Sequence, residues 1–196
     1  HDSIAVGEDG PTHEPIEQLS TFRAMPNFYT FRPADGAENV ECWKVALNLN
    51  APCAFVCSRQ GLNPLDEAKF GSVANGAYLI KESKNPQITL VASGSEVGLC
   101  LEAANLLENS DIGVNVVSAP CFDLLCEQES SYIKRIFAPQ TKVLAVEAAT
   151  ALEWYKFANN VFGMSSFGAS APADELFKHF GFSATNIANV AKEMLK

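Results

Sequence analysis

The second half of this chain alternates between short apolar runs and segments with helical spacing, and this pattern constrains its fold most strongly. The predicted strands cover residues 77–81, 88–92, 114–118, 143–146 and 161–165. The predicted helices cover residues 97–107, 123–137, 151–159, 172–180 and 184–195. Strands that alternate with helices favour a mainly parallel sheet with helices on both faces. The sequence therefore predicts an α/β fold.

The first half is less regular. Glycines and a proline make residues 1–15 a predicted loop, which Pro15 ends by starting a helix that continues over 16–22. A strand (28–31), a helix (37–49) and a buried strand (54–57) are predicted next, and the last delivers a polar tip, Ser58-Arg59-Gln60. Repeated Gly and Pro residues mark 61–74 as a linker. We therefore expect two domains, at residues 1–60 and 75–196.

Composition and charge exclude several classes of protein. The chain has 196 residues, a net charge of -9 and no Lys/Arg cluster, so we expect no nucleic-acid partner. No apolar run reaches about 18 residues, so we expect no membrane span. The six cysteines form no CxxC pair, and free buried thiols suit a reducing cytosol. These features predict a cytoplasmic protein.

The densest polar cluster lies at the start of the chain. Two of the three histidines, His1 and His13, fall within its first 13 residues, among Asp, Glu and Gly residues. Imidazoles and carboxylates in one loop suit proton transfer and recognition of a hydroxyl group. The alternative is structural, with Thr12 or His13 capping the following helix. From spacing alone, both interpretations stay open.

A second polar turn, Ser93-Gly94-Ser95-Glu96, follows a predicted strand and opens a predicted helix. The N-terminus of a helix can bind an anion. A plain N-cap by Ser93 or Ser95 explains the same residues, and we favour it.

Several sequence motifs, spread over essentially the whole chain, match those of one known family. The run HDSIAVGEDGPTHEPIEQLSTFRAMPN, then FRPADGAENVECW and CSRQ, resembles the pyrimidine-binding domain of transketolases. The segments VASGSEV, VNVVSAPCFD, VEA, WYKF and GMSSFGASAPADELFKHFGF are similar to the transketolase C-terminal domain. The resemblance implies a truncated pyrimidine-domain half followed by a Rossmann-like C-terminal domain with a mostly parallel five-stranded sheet. Dihydroxyacetone synthase is the relative most easily confused with it.

The resemblance implies a role for four residues. His1 and Arg59 match residues that bind the sugar phosphate, a role for which the planar fork of arginine is suited. Asp9 matches the acid that reads a substrate hydroxyl, and His13 matches the active-site histidine near the reacting carbon. Glu14 replaces the commoner glutamine, and we expect an exposed carboxylate there with a modest effect on His13. Without the resemblance, Arg59 would be an ordinary surface residue.

The resemblance also implies partners and cofactors. Transketolases transfer a two-carbon ketol unit between sugar phosphates in the pentose phosphate pathway, as homodimers with active sites between subunits. Thiamine diphosphate and Mg²⁺ or Ca²⁺ are held by an N-terminal domain, and no Gly-Asp-Gly followed by Asn-Asn occurs in this chain. We therefore expect no cofactor or metal ligands in it. We expect it to be part of a longer chain, inactive alone; a non-catalytic assembly or regulatory domain is the alternative.

Overall fold

The computed structural model describes residues 2–66, called here the N-terminal part, and residues 72–196, called the C-terminal part. The strands are β1 (Tyr29–Phe31), β2 (Cys53–Phe55), β3 (Tyr78–Lys81), β4 (Ile88–Ala92), β5 (Val114–Ser118), β6 (Lys142–Val146) and β7 (Asn160–Phe162). The α-helices are α1 (Gln18–Arg23), α2 (Gly36–Ala46), α3 (Glu96–Glu108), α4 (Phe122–Cys126), α5 (Ser130–Ile136), α6 (Ala173–His179) and α7 (Ala184–Met194). Short 3-10 helices cover Ile4–Val6, Pro11–His13, Val73–Asn75 and Leu152–Lys156.

The C-terminal part is built on a sheet with strand order β3-β5-β4-β6-β7. The strands are parallel except β3, which runs antiparallel to β5 at one edge. At the centre, Leu90 of β4 lies between Val116 of β5 and Leu144 of β6. Every residue of β4 and β5 is buried, as parallel strands covered on both faces require. The predicted α/β fold with a mostly parallel five-stranded sheet is confirmed.

Helices cover both faces of this sheet. Neighbouring strand residues point to opposite faces, so Leu90 packs with α3 and α7, whereas Val91 packs with α4 and α5. On the second face Trp154 is fully buried and meets the ring of Phe122 edge-on at 5.0 Å. The five-stranded sheet therefore has a hydrophobic layer on each face, and residues of the N-terminal part such as Ile4 and Phe31 pack into the first of them.

The N-terminal part is built on two parallel strands, β1 and β2, in which Phe31 pairs with Phe55. On its other side β1 joins the C-terminal part, where Arg32 N donates to Pro120 O at 2.8 Å. Helix α2 begins after Asp35, whose carboxylate caps it by accepting from Glu38 N at 2.7 Å. On the outer side of α2 the apolar side chains of Val40, Trp43 and Leu47 are exposed in the part of the chain that the structure describes, although Trp43 stacks on Phe55 with ring centroids 4.2 Å apart.

Some predictions are wrong in detail. The helix predicted over 151–159 is only a short 3-10 helix, Leu152–Lys156, because Ala151 adopts a left-handed backbone and the Trp154 indole donates to Glu147 at 2.9 Å. The predicted helix over 123–137 is two helices, and β2 is only half-buried. The prediction of buried thiols is wrong for Cys57, which is exposed because it immediately precedes the polar tip. Part of the predicted linker, 67–71, lies outside the described residues. None of the helices that the structure describes is long and apolar enough to cross a membrane.

Candidate functional site

The N-terminal loop that carries the predicted site residues is folded onto the rest of the chain. The 3-10 helix Ile4–Val6 is buried and packs against α6. Ser3 precedes it with a positive φ of 52°, and its hydroxyl accepts from Ala5 N at 3.3 Å. Gly7 follows with a φ of 82°, a conformation that glycine adopts without strain. The loop is thereby held in one defined path.

Glu14 closes this loop from inside. Its Oε1 accepts from Gly7 N at 2.9 Å, and its side chain is buried. Burial raises the pKa of Glu14, while the N–H groups of Gly7 and Ala169 lower it by a smaller amount. A Cβ at Gly168 would overlap Glu14 Oε2, so the carboxylate fits only against a glycine. The expectation of an exposed carboxylate beside His13 is wrong, because Glu14 points into the fold to satisfy the loop backbone.

Two predicted substrate-binding residues meet at the surface. Arg59 follows β2, and its Nη1 forms an ion pair with Asp9 Oδ2 and donates to Val6 O at 3.3 Å. The side chains of Arg59 and Asp9 are 54% and 46% exposed, so the pair is open to solvent. An exposed pair contributes little to stability, typically about 0–1 kcal/mol. The guanidinium is therefore available to an anion that competes with Asp9.

His13 lies at the rim of a cleft. It ends the 3-10 helix Pro11–His13 and is exposed. The cleft measures about 560 Å³ and is lined on its other sides by Gln18 and Phe22 from the α1 region and by residues 54–57. The N-cap position of α1 is Glu17 and has no side-chain cap, so the capping role for Thr12 or His13 is wrong. His1 lies outside the described residues.

A buried arginine that the sequence did not single out lies behind this loop. Arg32 is fully buried, and its Nε donates to Asp2 Oδ1 at 2.8 Å. Its Nη1 lies 2.7 Å from Glu96 Oε2 and donates to Ser93 O at 2.5 Å. Burial alone would lower the pKa of Arg32, but the carboxylates of Asp2, Glu96 and Glu147 outweigh it and raise the pKa. The guanidinium therefore stays charged in the interior.

The turn at residues 93–96 thus binds the cationic guanidinium of Arg32 and not an anion. Ser95 holds the N-cap position of α3, but its hydroxyl donates to Glu96 Oε1 at 2.5 Å and accepts no hydrogen bond from the first N–H groups of the helix. Ser93 donates to Glu147 Oε1 at 2.6 Å. The predicted side-chain cap is wrong, because both hydroxyls are drawn to buried carboxylates.

A second buried arginine, Arg23 of α1, completes the cluster. Its Nη1 and Nη2 bind the two oxygens of Glu147 at 2.7 and 2.8 Å, and its Nη1 also pairs with Glu153. Burial raises the pKa of Glu147, but the positive charge and hydrogen bonds of Arg23 more than offset this and lower it to about 2. A bidentate pair of this kind fixes both position and orientation.

Four residues in and beside this cluster lie beyond the carboxyl ends of strands. Arg32 follows β1, Ser58 lies three residues beyond β2, Ser93 follows β4 and Glu147 follows β6. Strands β1 and β2 form one sheet, and β4 and β6 belong to the other. Ligands of open α/β folds bind outside the carboxyl ends of such parallel strands. A charged residue directly after an apolar run was the available signal for Arg32 and Glu147. Among residues 2–66 and 72–196, no three His, Cys, Asp or Glu side chains are grouped to hold a metal ion.

The fold and these residues define the class: an open α/β protein with polar and charged side chains gathered at the carboxyl ends of its strands. Family models for the "Transketolase-like TK C-terminal domain" and the "Transketolase, pyrimidine binding domain" match residues 76–183 and 1–64, respectively. The chain belongs to the transketolase family.

Known relatives agree with this assignment. Transketolase from Bacillus subtilis is 44% identical over 205 residues, and transketolase 2 from Aliivibrio fischeri is 43% identical over 203 residues. The crystal structure of transketolase from Campylobacter jejuni superposes with a TM-score of 0.93 at 58% identity, over 97% of this chain and 30% of that chain. The alignments cover 100% of this chain but 31% of the two curated relatives.

Proposed function

We propose that this chain is part of a longer enzyme that transfers a two-carbon ketol unit between sugar phosphates, and that it supplies the residues which bind the substrate. The observation that carries the proposal is the open Arg59–Asp9 pair on the loop of His13, in a chain of the transketolase family. Arg59 would bind the phosphate, together with His1. Asp9 would accept a hydrogen bond from a sugar hydroxyl, and His13 would move a proton near the reacting carbon.

The cofactor belongs to the same proposal. The described residues have no cluster of ligands for a metal ion, so they do not fit a metal-bound diphosphate. We infer that the rest of the enzyme holds thiamine diphosphate with Mg²⁺ or Ca²⁺, which stabilises the carbanion of the reaction when bound. That this chain carries no cofactor or metal ligand stays a prediction.

Assembly and location are further parts of the proposal. We infer that the enzyme is a cytoplasmic homodimer that acts on sugar phosphates, without nucleic-acid or membrane partners, and that this chain is inactive alone. We also keep the domain boundaries at 1–60, 61–74 and 75–196 as a proposal.

The test is reconstitution. This chain is mixed with the remaining part of the enzyme, made as a separate polypeptide, and ketol transfer is measured with thiamine diphosphate and Mg²⁺. We expect transfer from the mixture and none from either polypeptide. Activity of this chain alone would overturn its predicted inactivity. A full-length enzyme that is inert toward sugar phosphates would overturn the function.

A second candidate is a non-catalytic assembly domain, which the exposed apolar side of α2 favours. Val40, Trp43 and Leu47 are 53%, 48% and 78% exposed and share one side of the helix. The same mixture separates the two candidates: complex formation without ketol transfer supports assembly alone.

A further inference from the structure

We propose that Arg32 is a positioning residue, through which the C-terminal part fixes the substrate-binding loop of the N-terminal part. The inference rests on the proposed function in one respect, because it takes Arg59 as the phosphate-binding residue. It assigns a role to Arg32 and to the turn at 93–96.

The turn at 93–96 is shaped around the guanidinium of Arg32. A Cβ at Gly94 would lie 2.7 Å from Arg32 Cζ, and Gly94 has a positive φ of 58°. Gly94 N donates to Arg32 O at 2.9 Å, so the turn holds both the backbone and the side chain of Arg32. Ser93 O and Glu96 add the contacts to Nη1. The C-terminal part thus sets the position of this guanidinium.

Arg32 in turn fixes the position of the Asp2 carboxylate. The Nε of Arg32 is bound to Asp2 Oδ1, and the side chain of Asp2 is only 1% exposed. The other oxygen, Asp2 Oδ2, accepts from Ser58 Oγ at 3.5 Å, a longer contact. Asp2 opens the loop that carries Asp9 and His13, and Ser58 immediately precedes Arg59. One buried carboxylate therefore contacts both segments that carry the candidate site.

Arg23 provides a matched control within the same cluster. Its side chain is 2% exposed, and it also joins the N-terminal part to carboxylates of the C-terminal part. The contacts described for Arg23 go to Glu147 and Glu153, and not to Asp2. Loss of either arginine leaves buried carboxylates unpaired and lowers stability. Only the loss of Arg32 removes a contact of the substrate loop.

The experiment compares Arg32→Met with Arg23→Met in the complete enzyme. We expect Arg32→Met to raise KM for a phosphorylated donor at least about tenfold, because a misplacement of about 1 Å can cost about 10²-fold. A non-phosphorylated ketol donor should change much less. Arg23→Met should lower Tm by a similar amount and leave the ratio of the two KM values as in the wild type. Arg32→Lys should recover Tm more than KM, since one ammonium group cannot replace the planar fork.

An equal effect of both Met variants on the KM ratio would overturn the proposal, since Arg32 would then only hold the fold. If Arg32→Met does not fold, Asp2→Asn keeps the buried arginine and its other partners, and the same shift in the KM ratio is expected. A normal ratio in Asp2→Asn also overturns it.

A second readout does not depend on activity. Hydrogen exchange should be faster in residues 2–10 and 56–60 of Arg32→Met, or of Asp2→Asn, and unchanged there in Arg23→Met. If the complete wild-type enzyme transfers no ketol unit, the proposed function fails, whereas this exchange pattern still decides the role of Arg32. Equal acceleration in all variants rejects it.

Discussion

The two parts of this molecule divide stability and chemistry between them. The C-terminal part has five strands, buried faces and two hydrophobic layers. The N-terminal part has two strands and an exposed helix side, yet it carries Asp9, His13 and Arg59. Its buried apolar residues, such as Ile4 and Phe31, pack into the first layer of the C-terminal part. The residues proposed to bind substrate are therefore held in place by a neighbouring fold.

The interface between the two parts is ionic as well as apolar. Arg23 and Arg32 come from the N-terminal part, while Glu96, Glu147 and Glu153 come from the C-terminal part. Burying such groups is costly unless every charge has a partner, so removal of one partner costs more than the pair contributes. This asymmetry sets the size of the largest effect that we predict.

Glu147→Ala should weaken the ionic interface between the two parts most. The change leaves Arg23 buried with only Glu153 as its ion-pair partner, and we expect the free energy of unfolding to fall by about 3–5 kcal/mol. Chemical denaturation of the chain measures this. Glu41→Ala is the control, since its pair with Lys44 lies at the surface of α2 and contributes only about 0–1 kcal/mol. Equal losses in the two variants would mean that the buried ion pairs of the interface contribute no more to stability than an exposed pair.

The chemistry of the N-terminal part is tested by His13→Ala and Asp9→Ala in the complete enzyme. Removal of a positioned acid or base should lower kcat by about 10²–10⁴-fold in His13→Ala, with little change in preference between epimeric donors. Asp9→Ala should instead reduce that preference, because a site that binds a hydroxyl penalises substrates that misplace it. Steady-state kinetics with two epimers, together with Tm, separates these outcomes. Parallel losses of activity and Tm would make both residues structural.

Arg59→Ala tests whether the open pair serves the substrate. A charge-assisted hydrogen bond contributes about 1.5–3 kcal/mol, so kcat/KM for a phosphorylated donor should fall by about 10- to 150-fold. A non-phosphorylated donor should be much less affected, and Tm should hardly change, since the pair with Asp9 is exposed. An equal loss on both donors would assign Arg59 to the fold.

Two buried glutamates should respond to pH in opposite ways. Burial raises the pKa of Glu147, but Arg23 and Arg32 outweigh burial and lower this pKa from 4.5 to about 2. Burial instead raises the pKa of Glu38, whose carboxylate accepts hydrogen bonds from the hydroxyls of Tyr78 and Ser118. Glu147 therefore stabilises the fold above pH 4.5, and this stability is lost as pH falls toward 2. Glu38 contributes stability below pH 4.5 that is lost as pH rises through its raised pKa.

We expect the Tm difference between wild type and Glu147→Gln to shrink below pH 4.5. The difference between wild type and Glu38→Gln should shrink in the opposite direction, as pH rises above 4.5. Thermal melts of the three proteins from pH 3 to pH 8 measure both. Differences that run in the same direction would contradict the opposite environments of the two carboxylates.

The sequence predicted local elements well and contacts between distant residues poorly. The period of apolar residues found all five strands of the C-terminal sheet and helices α3 and α7, because periodicity reports burial along one element. It could not find the meeting of Asp2, Arg32 and Glu96, which are far apart in the chain. Local sequence predicts caps at Ser93 and Ser95 because capping is the commonest local use of serine, whereas the buried carboxylates that attract them come from the fold. The resemblance to transketolases named Asp9 and Arg59, whose pairing only the structure reveals.

The N-terminal part depends on the C-terminal part for its order, and hydrogen exchange of the wild-type chain should reveal this dependence. We predict the slowest exchange in β4, β5 and β6, which are buried at the centre of the five-stranded sheet. Exchange should be faster in β1 and β2 and fastest over residues 2–27. Equal protection of the two parts would contradict this dependence, because the N-terminal part would then be as stable as the sheet on which it packs.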